Sequence, residues 1–166
     1  MRADLVVLRL APEEFLLDCE PSLATPLLAI LAGYLPFSRS KMEDRTASTG
    51  VVHLEGPAAA GILAEAGFAE PAVAPFSHLA GEVEGLAVRV VRVARAGEEG
   101  FDLLSEPDAS ARLLALLAGH GALRVSRRKG AGVVEVAELR EGDVFGEKSC
   151  LRKSPATATV TTRRAG

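Results

Sequence analysis

The sequence predicts an α+β protein, with helices on a mixed or antiparallel sheet over its first 120 residues and a small all-β stretch after them. Three observations predict it. Short β-branched and leucine-rich runs alternate with Ala- and Leu-rich helical stretches as far as Gly121. Beyond Gly121 only strand-like runs and turns follow. The charge changes at the same place: residues 1–123 carry 9 Lys and Arg against 17 Asp and Glu, a net of −8, and residues 124–166 carry 10 against 5, a net of +5. A shift of that size marks a module boundary, dividing the chain into 1–120 and 121–166.

Each element has a local reason. Asp4–Leu10 is a β-branched and leucine run broken by Pro12, and a second apolar run follows at Glu14–Asp18, so the pair reads as a hairpin. Ser22 is placed to cap a helix whose apolar positions Leu23, Leu27, Ile30 and Leu31 follow the helical period. Gly33, as a left-handed cap, and Pro36 end it. Phe37–Thr46 reads as a polar strand and Gly50–Glu55 as a stronger one. Gly56-Pro57 opens an Ala-rich helix running to about Ala66, because proline at the first position lacks only an amide that would be unpaired there. Ala69–Leu79 reads as a loop, Leu86–Ala94 as a long strand, 96–100 as a turn and Phe101–Leu104 as the returning strand. Ser105 and Asp108 resemble a capping box opening a helix through Leu117. Helices over such a sheet give a ferredoxin-like-type arrangement. After it, strands at Leu123–Ser126, Val133–Leu139 and Ala156–Thr162, with turns at 127–130 and 141–143, form a half-roll.

Composition bounds the function. The chain is 48% hydrophobic with only 4% aromatic residues, so its core is built from Leu, Val and Ala. No window approaches the ~20 apolar residues of a membrane span. The segment Met1-Arg2-Ala3-Asp4 has no signal-peptide layout. Cys19 and Cys150 form no CxxC pair, which fits a reducing, cytoplasmic setting. His53, His78 and His120 lie far apart, so no metal site is expected. Arg124, Arg127, Arg128 and Lys129 lack interleaved aromatics for base stacking, so they read as a solvated hairpin tip and not as a nucleic-acid surface.

Three stretches resemble one family in order. Residues 50–67, GVVHLEGPAAAGILAEAG, are similar to the strand–Gly-Pro–helix unit of the aminomethyltransferase (glycine-cleavage T-protein) family. The segments ADLVVLRLAPEEFLLDCEPSL and RAGEEGFDLLSEPDASARLLALLAGHGA resemble the segments on either side of it. The resemblance implies a tetrahydrofolate-binding protein acting on a folate-type small molecule. In that family a carboxylate accepts from the N–H groups of the pterin edge. By motif position Glu98 is that carboxylate, with flanking glycines that let backbone approach a flat ring; the alternative is a solvated acidic turn. Asp4 falls at the family's Asp-Asp pair near the reacting carbon, where a carboxylate stabilises a developing positive charge; the alternative is a charged strand start. Ala3 replaces the pair's first member. The resemblance starts inside the family's first domain, so the expectation is a truncated site with weak or lost transfer activity.

A second resemblance starts at Gly121. Gly142-Asp143, Phe145-Gly146-Glu147, Leu151, Pro155 and Ala158-Thr159-Val160 are spaced as in the phosphate cassette of a cyclic-nucleotide-binding β-roll. It implies that Glu147 accepts from the ribose hydroxyl, that Gly146 allows close backbone approach, and that Thr157 offers a hydroxyl to the cyclic phosphate. Ala156 stands where that family has its phosphate arginine. Three functions remain open: a folate-binding, aminomethyltransferase-like protein; a cyclic-nucleotide-responsive regulatory module; and a non-catalytic remnant or interaction protein. Uncovered apolar faces add the expectation of a protein partner or self-association.

Overall fold

A computed structural model describes residues 5–37, 40–71, 73–94, 99–121, 123–129, 132–139 and 157–162. The chain forms two compact units, Met1–Ala47 and Ser48–Gly166. The first begins with the hairpin of β1 (Leu5–Ala11) and β2 (Glu14–Cys19), antiparallel, with Val7 opposite Leu17. Helix α1 spans Pro21–Ala32 and starts without a side-chain cap; Ser22 Oγ instead donates to Glu20 Oε1 at 3.0 Å. Pro26 is accommodated inside α1 although it removes a helical donor. Further expectations fail here. Ile30 is half-exposed while Leu23, Leu27 and Leu31 are partly buried, and Gly33 closes the helix at φ −64°, a right-handed conformation. The expected strand at Phe37–Thr46 is not formed by its described residues: Leu35–Phe37 and Thr46–Ser48 are 3-10 turns.

The second unit is built on one mixed sheet. Its strands are β3 (Gly50–Glu55), β4 (His78–Val83), β5 (Leu86–Arg92), β6 (Gly100–Ser105), β7 (Leu123–Lys129), β8 (Gly132–Leu139) and β9 (Thr157–Thr162). Their order is β4-β5-β6-β3-β9-β7-β8, antiparallel except for the parallel pair β3–β9. The three strands that follow residue 121 therefore continue the sheet begun before it.

Helices α2 (Ala59–Glu65) and α3 (Ser110–Ala118) supply the apolar partner for one sheet face. Val52 and Leu54, Phe101 and Leu103, and Val88 and Val90 form one buried cluster with Ile62, Leu63, Leu113, Leu114 and Leu117. Each fully buried Leu or Phe contributes roughly 1.5–3 kcal/mol of transfer free energy. Gly67 ends the α2 segment at φ +85°, the left-handed conformation that glycine takes without strain. Helix α3 starts at Ser110, later than Ser105, because Pro107–Ala109 forms a 3-10 turn first. The hydroxyl of Ser105, at the end of β6, donates to the Glu106 carbonyl at 3.1 Å and caps nothing.

Two further boundaries move. His78 and Leu79, the end of the stretch expected as loop, instead begin the edge strand β4, which is joined to β5 by the two-residue turn Glu84-Gly85 with both residues at positive φ. That geometry matches the right-handed twist of a hairpin. The Arg127–Lys129 tip is strand as well, since β7 runs to Lys129 opposite Gly132. Among the described residues no helix is long and apolar enough to cross a membrane.

Candidate functional site: a buried carboxylate–imidazole–carboxylate row

Side chains alternate along a strand, so Val52 and Leu54 face the helices while His53 and Glu55 face the other way. On β6, Asp102 pairs with His53, so the three polar groups share one face. They are buried: His53 is 4% exposed, Glu55 7% and Asp102 3%. Asp102 Oδ1 lies 2.7 Å from His53 Nδ1, and Glu55 Oε2 lies 2.7 Å from His53 Nε2. Both edges of the imidazole are therefore engaged. Hydrogen bonds of this kind are strong when an ionised partner takes part, and burial keeps water from competing.

Glycine makes room for this row. Gly100 pairs with Glu55, and a Cβ there would stand 3.3 Å from Glu55 Cγ, 3.3 Å from His53 Cε1 and 2.6 Å from the Val93 carbonyl. The same strand end is tied down by Arg92, on β5 opposite Phe101. Its guanidinium bonds the carboxylates of Glu70 and Glu99 and lies 4.9 Å from the centre of the Phe101 ring. Burial opposes the guanidinium charge, but the hydrogen bonds and charges of Glu99 and Glu70 outweigh it and raise its pKa above the usual arginine value. The Gly56 amide donates to the Glu99 carbonyl at 3.0 Å. Glu99 is thus held by side chain and by backbone, immediately after the Gly97-Glu98 motif.

Of the residues singled out from sequence, Asp4, Glu98, Gly146 and Glu147 lie outside the described residues. Thr157 begins β9, in register with Val51, and Thr159 on the same strand is in register with His53. The sequence reading missed His53, Glu55, Arg92 and Asp102 as a group. One signal was present: in the apolar run GVVHLE, His53 and Glu55 fall two apart on a strand too hydrophobic to be half solvated. What it lacked was the partner strand that brings Asp102 across. Among the described residues no group of three or more His, Cys, Asp and Glu side chains is arranged to hold a metal ion.

The comparisons with known proteins agree with the first resemblance. The family model of the GCVT N-terminal domain matches residues 1–137, a span that includes β7 and most of β8. An aminomethyltransferase of Saccharopolyspora erythraea is 26% identical over 159 residues, 95% of this chain. The chain spans 43% of the length of that relative. No solved structure matches.

Proposed function

The chain belongs to the GCVT N-terminal domain family, and from that premise we propose that it binds a tetrahydrofolate-type small molecule through carboxylates at the β3–β6 strand end. The observation that carries this reading is the buried pair Glu55 and Asp102 beside Gly100, in the segment that contains Glu98. A pterin edge presents N–H donors, and an ionised carboxylate is the side chain that accepts two of them at once. On this reading Glu98, by motif position, and Asp102 are the candidate acceptors, and Arg92 holds Glu99, the residue that follows Glu98 in the chain.

Tetrahydrofolate, when bound, supplies a carrier for one-carbon units. The chain's own contribution is to hold and orient it. Aminomethyl transfer is the further part of the proposal, with Asp4 beside the reacting carbon, where its charge favours a developing cation. A reducing, cytoplasmic setting belongs to the same proposal and rests on the two cysteines. The cyclic-nucleotide alternative rests on its sequence resemblance alone.

The test is a titration of the full chain with tetrahydrofolate under reducing conditions, followed by pterin fluorescence. The expected result is a saturable signal that Glu98→Ala and Asp102→Asn each weaken. Absence of a saturable signal, or identical binding in both variants, would overturn the reading. A rise in Tm with ligand concentration is the matching stability readout, because a ligand that binds only the folded state stabilises it.

A further inference from the structure

The row Glu55–His53–Asp102 has a hydrogen-bond inventory that a neutral ring between two ionised carboxylates cannot satisfy. Neutral imidazole offers one donor and one acceptor, and an ionised carboxylate offers only acceptors. Both ring nitrogens lie 2.7 Å from a carboxylate oxygen. One of the two contacts would then set acceptor against acceptor, at a site where each residue is less than a tenth exposed. An unsatisfied contact between buried polar groups is costly. The inventory balances if the ring carries both protons, or if one carboxyl keeps its own. In either case the row holds one extra proton and a net charge of −1.

We propose that His53 is a positioning residue that shares this extra proton with Glu55 and Asp102 and thereby fixes both carboxylates on the sheet face. The functional half of the proposal rests on the folate reading above: a ligand meets a carboxylate already held from behind, so little rotamer freedom is lost on binding. On β4 and β5 the other titratable groups on this face are Arg89, His78 and Glu82. Arg89 Nη1 and His78 Nδ1 lie 2.9 Å apart and form a separate contact.

The test is histidine side-chain 15N–1H correlation on the full chain between pH 6 and 8, with carboxyl 13C shifts for Glu55 and Asp102. The His53 signals are assigned by their loss in His53→Gln. The expected result is a His53 ring protonated at both nitrogens, or singly protonated with one of the two carboxyls in the neutral acid form. A bare ring nitrogen with both carboxyls ionised would overturn the proposal. Glu55→Gln supplies a second reading if His53→Gln fails to fold. Its amide can donate to the ring, so the extra proton becomes dispensable and His53 should become singly protonated with Asp102 ionised. An unchanged doubly protonated ring in that variant also counts against the proposal. In the ligand titration, His53→Gln should weaken tetrahydrofolate binding on the order of tenfold. Unchanged affinity there would remove the positioning role. A wild type that does not bind folate but shows the two-proton row overturns the folate reading alone.

Discussion

Arg92 concentrates several roles in one side chain. Its fork reaches Glu70 and Glu99, its plane lies against Phe101, and its backbone amide donates to the Ser77 carbonyl at 2.9 Å. The two glutamates are 41% and 44% exposed, so solvent screens part of the attraction. Arg92→Ala should therefore lower stability by about 2 kcal/mol in urea unfolding, less than a fully buried pair would give. Arg92→Lys should fall between, because lysine keeps the charge but loses the planar fork. Cys19 shows the opposite electrostatic sign. Partial burial first, then the charges of Asp18, Asp44 and Glu20, raise its thiol pKa above 9.0. The folded state thus disfavours the thiolate, so the stability linked to this thiol is intact below pH 9.0 and falls as pH rises through the folded value. In a Cys150→Ser background, thiolate absorbance should titrate with a midpoint above 9.0, and alkylation at pH 8 should be slower than for an unfolded control.

At the scale of elements, the turn between β4 and β5 is strained by its sequence. Glu84 sits at φ +51° and Gly85 at φ +73°, and only the second is suited to that conformation. Asn-Gly is the favoured pair for such a turn, so Glu84→Asn should raise stability by about 0.5–1 kcal/mol in thermal unfolding. Arg112 bonds the Glu84 carbonyl, and the substitution leaves that contact in place. Where β3 begins against α3, the packing is tight for a different reason. A Cβ on Gly50 would come within 2.6 Å of Ser110 Oγ, a buried hydroxyl with no hydrogen-bond partner among the described residues. Gly50→Ala should cost stability, and Ser110→Ala, nearly neutral alone, should recover part of that loss in the double variant. Strand β4 was not legible in the sequence, because an edge strand with mostly exposed side chains lacks the apolar alternation that marks β3 and β6.

At the scale of the whole molecule, the unit Ser48–Gly166 is organised around β3, which pairs with β6 on one side and β9 on the other. Amide exchange should be slowest in β3 and β6 and faster in the edge strand β4, as measured by hydrogen–deuterium exchange on the full chain. The sequence by itself determined the α+β class, the strand Gly50–Glu55, the helices that follow the helical period and the family resemblance, since periodicity and motif order are local properties of the chain. Only the tertiary structure decided that residues after 121 join the sheet begun before it, and that His53 meets Asp102 from 49 positions away. The reason is strand register: a strand pattern states which side chains share a face, but which partner lies opposite is fixed only when distant segments pair.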